Sequence, residues 1–450
     1  MLNSEVSDIA TIGNRDVLAG TFTSIRNASA TTPVAQKYIA ACDINTGQLD
    51  MSFRPVFDQP IAEVQESPDN KALYAVGQFS TVSGKARKKV VKLSPTGAVD
   101  PTFIANADSR VTALELGTKW VYLGGQFNKV NNVARGQARR RQPDDRRGGP
   151  RAEPADHHRP GPRRLAQRAD HPAHPGRDKV IVVHTGRNVG TQSRTGIFEF
   201  DATTKALLPW HTSLYDDNLP RTGGVLNLVE ADVSPNGQYF VAVAGSGGDR
   251  PPTSDTAMAF PVHGGEGVQP LWVSRHFDSI YSIAITEQAV YVGGHFHWEP
   301  SPTAPNPYPG DPDLAYGANN GAGATVLGEQ VVRRDMLGAL DPQTGKALAW
   351  NPGATALEGI KALHAIPRGL LLGSDGVTVA RRQVYRTAFC DFNAVPPAAT
   401  LDTFITDPFD GLTLPAGQPY TFKGTATAPA GVGKVRPDRQ PADLYPGRAE

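Results

Sequence analysis

Apolar stretches of four to seven residues, broken by Gly, Pro, Asn and Asp, recur along almost the whole chain. Some alternate with polar residues, as in Val111-Thr112-Ala113-Leu114. Others are continuously apolar and end in Gly-x-Phe, as in Val121-Tyr122-Leu123-Gly124-Gly125-Gln126-Phe127. Short β-rich runs bounded by turn residues predict strands and hairpins.

These runs belong to one repeated unit of four parts. An alternating strand comes first and the Gly-x-Phe strand second. A third strand leads into Asp and Thr-Gly, as in Leu337-Gly338-Ala339-Leu340-Asp341-Pro342-Gln343-Thr344-Gly345. The fourth part reaches an aromatic: Phe53, Phe103, Trp210 or Trp350. Asp-x-x-Thr-Gly is turn chemistry, with Asp capping the bend and Gly taking positive φ. Gly-x-Phe occurs at Gly20/Phe22, Gly77/Phe79, Gly125/Phe127 and Gly294/Phe296, at intervals of 57, 48 and 169 residues. The last interval is about three periods, and two degenerate copies fill it, at 180–204 and 239–262. A final copy spans 369–392.

Seven units with a period near 55, each of about four strands, predict an all-β, seven-bladed β-propeller. Closing the ring would bury both faces of each blade, so the aromatics read as packing between blades. The segments 121–127, 292–298 and 336–352 resemble bacterial secreted β-propeller proteins of the delta-60 repeat type, over about residues 1–393. The resemblance implies a secreted or cell-surface protein, often followed by Ig-like or carbohydrate-binding modules. It carries over no catalytic residues.

Composition sharpens this picture at one place. The chain has 450 residues and a net charge of +1. Residues 135–177 contain 12 Arg and 5 acidic residues, and their only large aliphatic side chain is Leu165. The rest holds 33 basic against 39 acidic residues, an acidic remainder that argues against a nucleic-acid partner. The tract reads either as a disordered linker or as a stretch translated in the wrong frame. Read one nucleotide later, the codons of residues 138–146 permit Leu-Ala-Ala-Val-Asn-Pro-Thr-Thr-Gly, which matches the third-strand unit. Residues 147–150 then permit Ala-Val-Asp-Pro. Residues 135–178 are therefore expected to be aberrant and disordered, replacing the outer half of the third unit and the first strand of the fourth.

After a linker at 394–400, residues 401–450 read as two or three strands that resemble the opening of an Ig-like sandwich, a truncated fragment. No run approaches the length of a membrane helix. The sequence as given shows no signal-peptide pattern, while the resemblance points to the cell surface or the exterior.

Candidate chemistry is sparse. His295-x-His297-x-Glu299 would place three ligands on one face of a continuing strand. The competing reading is that 295 and 297 are polar slots of the repeat, matching Gln78 and Gln126, and Ser80 and Asn128. An insertion at 299–330 carries Asp311, Asp313, Asn319 and Asn320, oxygen ligands that suit Ca²⁺ but lack EF-hand spacing. It is the best candidate for a recognition surface. Cys42 and Cys390 stand at equivalent places before the third-strand Asp and are expected to be buried, unpaired thiols. Nucleophile-elbow, phosphate-loop and dinucleotide motifs are absent from the sequence. The expectation is a monomeric, non-catalytic binding scaffold for a glycan or cell-wall component. The alternative is a propeller hydrolase or lactonase-like enzyme using a metal in the central channel.

Overall fold

The computed structural model describes residues 1–134 except 28, 118 and 119, then 165–166, 179–216, 227–245, 255–302 except 277, 331–393 except 381, 402–407 and 423–427. Seven antiparallel sheets follow one another along these residues. In the first, Val6–Ile12 pairs with Arg15–Gly20, which pairs with Ile39–Asp43. The second repeats this with Ile61–Glu66, Leu73–Gly77 and Val90–Leu93. The sixth does so with Ile280–Ile285, Val290–Gly294 and Leu337–Leu340, and the seventh with Ile360–Ile366, Gly369–Ser374 and Thr387–Asp391. The fifth adds a fourth strand, Trp272–Arg275. In the first, second, fourth and sixth sheets the expected fourth strand is a single bridge, such as Cys42 to Leu49 or Leu340 to Ala347, before the chain reaches its aromatic. Phe53 and Trp210 are fully buried.

The first strands pack against one another in sequence around a ring. Val6–Ile12 touches Ile61–Glu66 on one side and Ile360–Ile366 on the other, so the last sheet closes on the first. This is a β-propeller. A ring leaves the free edge of each innermost strand facing the axis, and carboxylates from the preceding sheet satisfy part of it. Asp8 accepts the Val64 N–H at 2.8 Å, and Asp232 accepts the Ile285 N–H at 2.8 Å. The only helical element among the described residues is the 3₁₀ turn Ser213–Tyr215.

The repeat motif has a steric cause. In six of the seven sheets the innermost strand carries a one-residue register shift opposite the end of its neighbour, as between Val6 and Asp8 or Ile280 and Ser282. The bulge pushes a carbonyl toward the motif glycine. A Cβ on Gly20 would lie 2.2 Å from the Glu5 carbonyl oxygen, and one on Gly294 would lie 2.1 Å from that of Ser279. The Phe two residues on then drops into the core, as Phe22, Phe79 and Phe296 do. The turns follow the sequence as well: Asp43 Oδ1 accepts the Asn45 N–H at 3.0 Å and the Thr46 N–H at 2.9 Å, with Gly47 at φ +67°. Asp341 repeats this with Gln343 and Thr344.

Between second and third strands a two-residue hairpin folds back on the segment that precedes the first strand. Leu2 bridges Ile25, Phe57 bridges Val82, and Ala107 bridges Val130. These are apolar pairs, one in each of the first three sheets.

The third sheet differs from its neighbours. Val121–Gly125 pairs with Val111–Leu116, and among the described residues no strand lies on its other side. All five of its residues are only half-buried. Within the arginine-rich tract Leu165–Ala166 forms a strand, the innermost of the fourth sheet, pairing with Val182 and Ile181. The pair holds the tract's one large aliphatic residue. The expected disorder of 135–178 otherwise lies outside the described residues.

Cys42 and Cys390 are free thiols, half-buried rather than fully buried, and burial pushes both up to about 11. In the C-terminal segment Asp402–Asp407 pairs antiparallel with Lys423–Thr427, and the rest of the Ig-like expectation lies outside the described residues.

Candidate functional site on the sixth sheet

The repeat makes the sixth sheet's departures easy to locate. The apolar hairpin pair uses the residue four before the first paired position and the residue five after the motif glycine: Leu2 and Ile25, Phe57 and Val82, Ala107 and Val130. The same count in the sixth sheet lands on His276 and Glu299. Both are fully buried. A third position changes with them. The third-strand residue opposite Val292 is Gly338, where other sheets have Ala40, Val91 and Ala388. A Cβ there would lie 1.9 Å from Glu299 Oε1, so glycine is what admits the carboxylate.

His276 follows the strand Trp272–Arg275 and donates its N–H to the Asp255 carbonyl at 2.8 Å. Its Nε2 lies 3.2 Å from Ser274 Oγ, and its ring meets Phe296 edge-on at 4.6 Å. Its Nδ1 faces Glu299 Oε1 at 4.0 Å, beyond hydrogen-bonding reach. Glu299 sits on Trp298–Pro300, paired with Val332. Arg334 Nε is 3.8 Å from Glu299 Oε2. Arg334 is a repeat feature that spends its other donors on the carbonyls of Arg333 (2.7 Å) and Leu348 (2.6 Å), as Arg87 does on Ala86 and Asp100. Neither Glu299 oxygen nor His276 Nδ1 has a hydrogen-bond partner among the described residues. Burial pushes Glu299 up to about 8, against the pull of Arg334, and pushes His276 down to about 3.

Closer to solvent the same hairpin carries two histidine–carboxylate pairs. His295 Nδ1 lies 3.0 Å from Asp278 Oδ2, and that bond raises the imidazole's proton affinity above its ordinary value. His297 Nδ1 lies 2.9 Å from Asp335 Oδ1, which also accepts from Arg333 Nε at 2.8 Å. Burial raises Asp335, but the His297 bond and the Arg333 charge outweigh it and leave the carboxyl below its usual range.

The three residues of the His-x-His-x-Glu string therefore do not converge. Each meets a different partner, and the two imidazoles stand 6.3 Å apart. No three His, Cys, Asp or Glu side chains gather in a metal-holding arrangement among the described residues. Asp311 and Asp313 lie outside the described residues. Sequence reading missed His276, Ser274 and Gly338. The signal was present in the residue count along the repeat, which puts His276 where Leu2 and Phe57 stand.

A family model described as "Domain of unknown function (DUF5122) beta-propeller" matches residues 68–103, which hold the second and third strands of the second sheet but not its first strand, Ile61–Glu66. No curated protein matches the chain. Among solved structures, the WD40 β-propeller domain of Doa1 is similar at 8% identity and TM-score 0.45, covering 83% of this chain and 91% of that one. The computationally designed Ika8 protein is similar at 14% identity and TM-score 0.42, covering 86% and 96%.

Proposed function

We propose that the chain is a non-catalytic binding propeller, working at the cell surface or outside the cell, with a glycan or cell-wall component as its ligand. The observation that carries this reading is the chemistry gathered on one hairpin. The sixth sheet alone among those described puts His276 and Glu299 in an apolar slot, with His295–Asp278 and His297–Asp335–Arg333 beside them. Partly exposed imidazole, carboxylate and guanidinium groups suit recognition of a hydroxyl-rich ligand, and loops on a rigid scaffold are where such sites sit. A glycan array, with fractionation of the source cells, tests it. Binding that is lost in His295→Ala and His297→Ala, in protein recovered from the envelope or medium, supports the reading. Purely cytoplasmic protein with no glycan ligand contradicts it.

A metal-dependent hydrolase is the second reading. Its support is the bare donor set of Glu299 and His276 Nδ1, the imidazole being held from behind by Ser274 as a ligand histidine would be. The adjacent Arg334 charge and full burial of the pair weigh against it. Elemental analysis of the purified protein and a hydrolase screen separate the two readings.

A further inference from the structure

The second strand of a propeller sheet normally lies between two others. Leu73–Gly77 and Val290–Gly294 each have a strand on both sides. Val121–Gly125 has Val111–Leu116 on one side and an open edge on the other among the described residues. Val121, Tyr122 and Leu123 are half-buried, whereas the matching Val290, Tyr291 and Val292 are buried. Trp120, at the start of the strand, is 57% exposed.

The repeat fixes what belongs on that edge. In the second sheet the third strand begins at Val90, 13 residues after Gly77, opposite Val76. The same count from Gly125 gives position 138, from which the codons read one nucleotide later permit Leu-Ala-Ala-Val-Asn-Pro-Thr-Thr-Gly-Ala-Val-Asp-Pro. Its first nine residues align without a gap on Leu337 to Gly345, which pair with Gly293 to Val290 and then make the Asp turn. Its last five residues repeat Gly97-Ala98-Val99-Asp100-Pro101, in which Val99 bridges back to Leu93. The start point follows from the count along the repeat, and the permitted strand and turn fit the repeat at that register.

We propose that the outer edge of Val121–Gly125, which no described strand covers, is a strand-acceptor site, and that its occupant is an extended peptide of this thirteen-residue sequence. It adds antiparallel, with Leu opposite Gly124, the two Ala opposite Leu123 and Tyr122, and Val opposite Val121. Main-chain hydrogen bonds supply the affinity, and the alternation of side chains against the exposed apolar flank supplies the choice of sequence. A second copy of the chain offers the same edge, but its strand ends in Gly124-Gly125 and brings no counterpart of the peptide's Asn-Pro-Thr-Thr-Gly turn to fold over the flank.

The test is a titration of the full chain with the fluorescein-labelled peptide, read by anisotropy and competed with unlabelled and scrambled peptides. A chain in which residues 138–150 are replaced by the shifted-frame sequence serves as the second protein. The expected result is saturable 1:1 binding, at least about tenfold tighter than the scrambled peptide. The replaced chain, with its edge filled from within, loses that binding by about tenfold or more. Equal binding of the scrambled peptide, equal binding to the replaced chain, or no binding at all overturns the proposal. So does a dimer of the original chain that the peptide fails to dissociate, which assigns the edge to a second copy.

Discussion

Val121-Tyr122-Leu123-Gly124-Gly125 and Val290-Tyr291-Val292-Gly293-Gly294 differ at a single position, yet their surroundings differ throughout. The second copy is buried at every residue between two strands, while the first is half-buried and, among the described residues, lies beside one. Nothing within the strand explains this. Tyr291 packs edge-on to Trp350 at 5.1 Å and stacks on Phe392 at 5.4 Å, aromatics supplied by later parts of the chain. Tyr122 instead meets Phe200 and hydrogen-bonds the Ala202 carbonyl at 2.9 Å, borrowing contacts from the next sheet. A strand's sequence sets its propensity, but its burial comes from the neighbour that the repeat is meant to supply.

The comparison can be broken most strongly by giving the third sheet the third strand that the repeat prescribes. Replacing residues 138–150 by the shifted-frame sequence buries two or three more apolar side chains, and the melting temperature should rise by roughly 10 °C. An unchanged melting temperature in calorimetry would mean that the edge has no vacancy to fill. A matched pair of truncations sharpens it next. Val290→Ala should cost about 2 kcal/mol in a denaturant titration, and Val121→Ala less than about 1 kcal/mol. Equal losses would place the two strands in equivalent environments.

The sixth sheet adds a pH signature that the third cannot have, since Val130 stands where Glu299 does. Glu299 stays protonated in the fold up to about 8 but ionises near 4.5 in the unfolded chain, so its contribution falls as pH rises between those values. His276, lowered to about 3 from 6.5, acts in the opposite sense, its contribution rising with pH between those values. The slopes oppose one another up to 6.5, and above it only the Glu299 loss remains. Stability should therefore drop by up to about 2 kcal/mol from pH 6.5 to 8, and Glu299→Gln should flatten that limb. A limb of unchanged slope in the variant would assign it to other groups. The smallest effect is expected for His295→Ala, whose partly exposed pair with Asp278 should change stability by less than about 1 kcal/mol in the same titration.

Much of this architecture was legible in the residues. The Gly-x-Phe spacing marks a bulge that leaves no room for a Cβ at Gly20 or Gly294, and the Asp-x-x-Thr-Gly string is the turn it resembles. The hairpin bridges were not legible, because pairings such as Leu2 with Ile25 involve too few residues to show a period. That gap hid the candidate site. His295 and His297 stand out by residue type yet pair with separate carboxylates, whereas His276 and Glu299 meet only through the bridge position. Leu165–Ala166 was missed for a similar reason: two residues carry no alternation, and their place depends on Val182 and Ile181.

Native-state hydrogen exchange on the full chain tests the central claim most directly, by comparing peptides that cover Val121–Gly125 and Val290–Gly294. An open third sheet predicts exchange at least about tenfold faster in the first strand than in its near-identical counterpart. Equal protection of the two would show that the third sheet is already complete.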